Sequence, residues 1–369
     1  MPPIESCPEV AAVAPPVMKI LFVLHSHSYG GAEMHLAELA LGLSARGHGV
    51  AFAGPADSWL AERFRAAGLD VYHLPMHGFF DAWSMVRLAW LARRFGADLI
   101  HGHLTRGAFY AGLSGRLAGV PVVATAHSTN AGKHFGRADR IIAVSRAVAG
   151  FLVTQGYDPG RIAVVHHGVA DPLAVPAQSL LRAALAPPAG VVLCGIVARL
   201  VRAKGQDLAI DALAHTPESV RLVLIGDDAT PWGRAMHARA AAAGVAERVH
   251  FLGFREAAPQ WMRGLDIVLA PSRREALSLT LAEAAAIGLP VIAARVGGIP
   301  EVVAEGETGL LVPAEDAAAL GAAMARLAAD SGLRARLGAQ GRARYLRDFS
   351  LPTMVEGTEA VYEQVLELA

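Results

Sequence analysis

Residues Leu265 to Val303 read LDIVLAPSRREALSLTLAEAAAIGLPVIAARVGGIPEVV, and the fold is decided here. An apolar strand, Asp266 to Ala270, breaks into a loop at Pro271. A helix starts near Ser278 and stops at Gly288 and Pro290, whose backbones cannot continue it. A second apolar strand then runs into the turn Gly297-Gly298. Glu275 falls in the loop before the helix, and Glu283 in its second turn. Between them, the amides around Ser278, Leu279, Thr280 and Leu281 have no intrahelical acceptor and carry partial positive charge. An anion such as a phosphate is expected there. Two carboxylates beside a phosphate site suit a ligand with both hydroxyls and phosphates, as in a nucleotide sugar. An isolated pair of glutamates eight apart is common in ordinary helices, so the surrounding pattern has to carry the reading.

That pattern is E-A-x-S-L-x-x-x-E, then G-x-P-V-I-A, then G-G-I-P-E. It resembles the signature of the family 4 retaining glycosyltransferases. The resemblance implies a GT-B fold: two Rossmann-like, doubly wound parallel-sheet domains facing each other across a cleft. It extends over nearly the whole chain after residue 17.

Composition is compatible with this expectation. The 369 residues suffice for two domains, and 53% are hydrophobic, enough to bury large cores. Lys plus Arg, 33, equals Asp plus Glu, 33, so no general basic field points to nucleic acid. Cys7 and Cys194 form no metal or redox spacing, and a reducing cytoplasm fits them. No apolar run reaches the length of a membrane-spanning helix. Residues 1–17 contain Ala and Pro but neither Lys nor Arg, unlike a signal peptide, and are read as a disordered extension.

From Met18 onward, apolar runs alternate with helical stretches, which implies parallel sheets covered on both faces. Strands are expected at Lys19–His25, Val50–Ala53, Val71–Leu74, Asp98–His103, Pro121–His127, Arg140–Val144 and Arg161–Val165. After a Pro-rich segment, Asp171 to Pro188, a second series follows. Its strands are Val191–Ala198, Arg221–Ile225, Arg248–Leu252, Asp266–Ala270, Pro290–Ala294 and Leu310–Val312. The expected domains are therefore 18–172 for the acceptor and 173–349 for the nucleotide sugar. Residues 350–369 would form a helix returning to the first domain, as is usual in this fold. Two echoes link the halves: Gly119–Ala124 with Gly288–Ala293, and Ala138–Ser145 with Gly264–Ser272.

On the donor side, Arg199 ends a strand and Lys204-Gly205 opens the next helix. A planar guanidinium fork and a point charge there make a diphosphate clamp. This resembles the family's G-R-L-x-x-x-K-G, with Ala198 in place of the first Gly. Phe251-Leu252-Gly253-Phe254 resembles the segment whose backbone meets the nucleobase, which puts Phe254 in the donor site. Asp227-Asp228 is not a metal-holding Asp-x-Asp, and is read as a loop. In the first domain, Gly30-Gly31-Ala32-Glu33 resembles the G-G-x-E loop that lies against the donor diphosphate and the acceptor. His127, in T-A-H-S, matches the family's cleft His, which holds the donor sugar through a hydroxyl or backbone contact. His101 and His103 share one strand face. With no carboxylate or cysteine at a telling spacing beside them, they are read as structural or cleft-lining and not as a metal pair. His167-Gly168-Val169 stands where N-G-V is usual.

The resemblance implies retaining transfer of a sugar from a nucleotide diphosphate to a hydroxyl, with no metal or other cofactor. Glu275, His127, Arg199 and Lys204 would carry it, and Glu283 would hold the ribose. Members with these motifs build lipopolysaccharide, capsule, glycolipids and small soluble glycosides, so a glycan or lipid-linked acceptor of the cell envelope is expected. The segment Asp81 to Phe95, with Trp83, Trp90, Arg87, Arg93 and Arg94, suits either an anionic membrane surface or ordinary sheet packing. A cytoplasmic protein, with peripheral contact to the inner face of the plasma membrane, is the corresponding expectation. A non-catalytic nucleotide-sugar binder and a sugar-nucleotide epimerase remain alternatives on the same fold.

Overall fold

The structure is a computed structural model, and it describes residues 17–129, 132–174 and 180–368. The extension expected over 1–17 lies outside these, apart from Val17, as does part of the segment expected to link the domains.

Among the described residues, thirteen strands form two parallel sheets. The first contains β1 (Lys19–Val23), β2 (Gly49–Gly54), β3 (Asp70–His73), β4 (Leu99–His103), β5 (Val122–Ala126), β6 (Arg140–Ala143) and β7 (Ile162–Val164). Its order is β3-β2-β1-β4-β5-β6-β7. The second contains β8 (Val192–Val197), β9 (Val220–Ile225), β10 (Val249–Phe251), β11 (Ile267–Ala270), β12 (Val291–Ala294) and β13 (Gly309–Val312). Its order is β10-β9-β8-β11-β12-β13. The fold is thus two Rossmann-like domains of the GT-B type. Strands such as VLCGIV and IVLA are buried throughout, as a sheet covered on both faces requires.

The helices of the first half are α1 (Gly31–Ala45), α2 (Trp59–Ala66), α3 (Ala82–Phe95), α4 (Leu104–Ala118) and α5 (Arg146–Thr154). Those of the second are α6 (Leu180–Leu185), α7 (Gln206–Ala212), α8 (Pro231–Ala242), α9 (Ala258–Met262), α10 (Leu279–Ile287) and α11 (Ile299–Val302). The last three are α12 (Ala317–Ala329), α13 (Ser331–Asp348) and α14 (Leu351–Glu367). Each sheet has an apolar core on either face.

The first internal echo has a structural basis. Gly119 and Gly288 end α4 and α10 in the left-handed region, at φ 69 and 85, and lead into β5 and β12, which hold equivalent sheet positions. The second does not. It aligns β6 with β11, but β11 sits beside the first strand of its sheet, where β4 sits in the other. Two buried parallel strands share an apolar composition wherever they lie, and that produced the match.

Helix α14 belongs to the first domain's core. Met354, Val355, Val361, Tyr362 and Val365 pack with Phe22, Leu36 and Leu43. The Tyr362 hydroxyl meets His101 Nδ1 at 2.6 Å, and His101 Nε2 meets Thr125 Oγ1 at 2.7 Å. Where the chain crosses back, a β-bridge joins Val169 and Ser350. A Cβ on Gly168 would stand 2.4 Å from the Ser350 carbonyl, which accounts for the glycine of H-G-V. Nearby, the buried Glu359 carboxylate accepts from Arg46 Nε at 2.9 Å and meets His48 Nε2 at 2.7 Å. Glu359→Ala should therefore lower the unfolding free energy by about 2–3 kcal/mol, read from urea denaturation, because His48 is left buried without its partner.

Candidate active site

The carboxyl ends of both sheets meet across one cleft, where open parallel sheets bind ligands. From the second domain come the residues after β8, β10, β11 and β12. From the first come those after β1, β4 and β5.

The donor-side loops are tied together by backbone packing that only glycine permits. Gly205 has φ +71, and a Cβ there would lie 2.0 Å from the Pro271 carbonyl. Gly297 has φ +50, and its Cβ would fall 1.8 Å from the Glu275 carbonyl. Gly298 would meet the Ala276 carbonyl at 2.0 Å, and its amide donates to the Glu275 carbonyl at 3.2 Å. The Lys204 loop, the Glu275 loop and the Gly-Gly turn thus lie against one another.

Charge reinforces this arrangement. Lys204 Nζ donates to Glu275 Oε2 at 2.5 Å, and the Ser272 hydroxyl donates to the same oxygen at 3.4 Å. Arg273 forms a fork on Asp207, with two bonds of 2.8 Å, and also donates to the Arg202 carbonyl at 2.7 Å. The Arg199 side chain is exposed, and its carbonyl accepts from Gln206. The two expected clamp cations therefore differ: Lys204 is already in an ion pair, while the exposed Arg199 side chain has none among the described residues.

Ser278 precedes α10 with φ 87, a left-handed conformation that is strained for a non-glycine residue. Its side chain makes no cap, so the first amides of α10 keep their donors. Thr280 uses its hydroxyl on the Val197 carbonyl at 3.0 Å, which fastens α10 to β8. Leu279 lies across from Gly31, where a Cβ would meet its Cδ1 at 3.2 Å. Gly31 thus faces the α10 N-terminus at close range, with Gly30 next to it in the chain. The helix begins at Gly31, so Ala32 lies in its first turn and not in the loop. Phe254 is exposed and edges onto Tyr29 of the first domain at 6.2 Å. Glu283 is half-buried at the cleft, and its surroundings push the carboxyl up to about 7. Asp227 accepts from the Ala229 amide and Asp228 meets His237, which gives both aspartates loop roles.

His127 is turned inward. Its Nε2 meets His103 Nδ1 at 3.0 Å and its Nδ1 meets His167 Nε2 at 3.2 Å. His101 is engaged by Tyr362 and Thr125 and stands behind His103.

Comparison with known proteins settles the family. Residues 29–171 match the model of Glycosyltransferase Family 4, and residues 192–330 match that of Glycosyl transferases group 1. A D-inositol 3-phosphate glycosyltransferase of Streptomyces bingchenggensis is 30% identical over 326 residues, 79% of this chain and 70% of that one. The chain belongs to the family 4 glycosyltransferases. A second relative of the same name, from Xylanimonas cellulosilytica, is 39% identical over 217 residues, 56% of this chain and 52% of its own length. This glycosyltransferase thus spans about half of that relative. Among solved structures, Anabaena Alr3699/HepE in complex with UDP is similar at a TM-score of 0.85 and 25% identity, covering 94% of this chain and 100% of that one. Its complex with UDP-glucose gives a TM-score of 0.83 and 26% identity, with the same coverage.

Several residues of the glycosyltransferase site were not singled out from sequence. Arg273 and Asp207 look like ordinary surface charges until the fold pairs them. His35, a lone His in an Ala- and Leu-rich helix, carries no signal in the sequence.

Burial holds the Glu283 pKa above the usual 4.5, at about 7, so ionising it costs folding stability. Below about pH 4.5 the folded and unfolded states are both protonated and the cost is absent. It grows through the window and is complete above pH 7. Glu283→Gln should therefore raise the melting temperature of the free protein at pH 8 and have little effect at pH 5, as checked by thermal melts across that range.

Proposed function

We propose that this enzyme transfers a hexose from a UDP-sugar to a hydroxyl, with retention of anomeric configuration. The observation that carries the reading is the Lys204–Glu275 pair, set beside Arg199 and the uncapped α10 amides and facing Gly30-Gly31. UDP as the nucleotide is supported by the Anabaena complexes with UDP and UDP-glucose.

In this mechanism the bond from the anomeric carbon to the phosphate oxygen breaks on the face from which the acceptor oxygen attacks. The acceptor's proton passes to the departing phosphate. Negative charge grows on the diphosphate, and Arg199, Lys204 and the amides of Leu279 and Thr280 stabilise it as it develops. Lys204 then shares its charge between phosphate and Glu275, and the Glu275 carboxylate is held for the donor sugar's hydroxyls. Glu283 accepts from the ribose hydroxyls, and the Phe254 segment borders the base. Both ring nitrogens of His127 face other imidazoles, so its contact with the sugar runs through the backbone. Protein cations supply the charge that a diphosphate-bound metal would provide, so adding magnesium or manganese should not raise turnover.

Thermal stability across UDP-, GDP- and ADP-sugars tests the donor assignment. At a concentration about 100 times its dissociation constant, a donor adds roughly 2.7 kcal/mol. UDP-sugars should produce this shift, and Arg199→Ala and Lys204→Ala should each weaken binding about 10- to 100-fold. Glu275→Gln should bind the donor but turn over about 100-fold more slowly. A shift with no donor, or full turnover in Glu275→Gln, would overturn the reading.

For the acceptor, the names of the inositol-phosphate relatives favour a phosphorylated polyol. One surface supports a lipid-linked envelope glycan instead. Helix α3 packs Leu88, Leu91 and Ala92 inward, while Trp83, Val86 and Trp90 are at least half exposed, together with the preceding Phe80. Arg87 lies over Trp83 at 5.0 Å and Arg94 over Trp90 at 5.2 Å. Aromatic rings beside cations suit the headgroup region of a bilayer. Under the lipid reading, the protein should co-sediment with phosphatidylglycerol vesicles, and Trp83→Ala with Trp90→Ala should release it. Turnover of inositol 3-phosphate without vesicle binding would decide for the soluble acceptor.

A further inference from the structure

Four histidines converge in the first domain from four separate elements. His35 comes from α1, His103 ends β4, His127 follows β5, and His167 follows β7. Their rings lie at short range, with centroids 4.3 Å apart for His35 and His167, 5.0 Å for His35 and His127 and 5.3 Å for His103 and His127. His35, His103 and His167 are buried, and His127 is half-buried. Among the described residues, two nitrogens in this interior, His35 Nδ1 and His103 Nε2, have no hydrogen-bond partner. Each orphaned polar atom of this kind costs about 1–3 kcal/mol. At His35 Nδ1 such a cost is expected where a ligand would meet the nitrogen.

We infer that His35, His103 and His127 form a binding site for one divalent cation of the zinc class. Each offers one ligand atom, and the three atoms lie within 4.8 Å of one another. Zinc–nitrogen bonds of about 2.0–2.1 Å in a tetrahedron place ligand nitrogens about 3.4 Å apart. The 3.0 Å between His103 Nδ1 and His127 Nε2 is close to that edge, and the His35 ligand atom lies within 4.8 Å of both.

The donor set selects the metal. Three imidazoles suit zinc, cobalt, nickel or copper, whereas magnesium and calcium prefer oxygen. His167 acts from behind. With a proton on His127 Nδ1 shared with His167, the Nε2 lone pair remains free for the ion. His167 stands where the N-G-V pattern has asparagine, so this imidazole is a feature of the present chain. Three protein ligands leave a fourth position of the tetrahedron for a non-protein ligand. The inference concerns first-domain side chains and does not depend on the donor assignment.

The test uses the full chain without an affinity tag, stripped by chelator and dialysed against Zn²⁺ or Co²⁺. One equivalent of metal should be retained, the Co²⁺ form should show the intense visible bands of a tetrahedral site, and excess Mg²⁺ should not displace the ion. A folded His35→Gln should lose the ion. His167→Asn should keep the stoichiometry and bind about 10- to 100-fold more weakly. Less than a tenth of an equivalent on the unaltered chain, or full retention by folded His35→Gln, would overturn the site. Should His35→Gln fail to fold, the Co²⁺ spectrum of the unaltered chain and the affinity of His167→Asn decide. Absent tetrahedral bands, or unchanged affinity, would overturn the site equally.

Discussion

The second domain's site depends on backbone meeting backbone where no side chain fits. Gly205 lies on the Pro271 carbonyl, Gly297 on that of Glu275 and Gly298 on that of Ala276. These contacts bring the ends of β8, β11 and β12 closer than any Cβ would allow. The Lys204–Glu275 bond, the Arg273–Asp207 fork and the strained Ser278 all follow from that proximity. The charges orient groups that the glycines have already placed.

Much of this was legible in the sequence because it is local. The thirteen strands show as apolar runs between glycine and proline breaks, and each observed strand lies within about a residue of its expected span. The loop–helix–turn unit from Glu275 to Gly298 reads directly, since cap, helix and stop signals follow one another within a few turns. What was not legible is made by the fold. Arg273 has no visible partner until β8 and β11 become neighbours. The four histidines lie at positions 35, 103, 127 and 167, and no spacing rule joins them. His101 and His103 looked equivalent by their alternation, yet one is held by Tyr362 and Thr125 and the other faces His127. Alternation fixes a shared face and not a shared partner.

The second internal echo marks a limit of the same kind. An apolar octet can be recognised, but its place in a sheet is set by the connections around it. Only where a helix-ending glycine accompanied the strand, at Gly119 and Gly288, did similarity of sequence mean similarity of position.

One contact carries a consequence for motion. Glu301 follows the Gly297-Gly298 turn, and its carboxylate accepts from the Arg146 and Ala147 amides at 2.8 and 2.9 Å and meets His166 at 3.0 Å. It thereby anchors the N-terminus of first-domain helix α5 to the turn that shapes the Glu275 loop. If the domains part to admit a substrate, this latch must release or drag the turn with it. Opening and the posture of Glu275 are then one mechanical event, and the loop resumes its shape as the halves close.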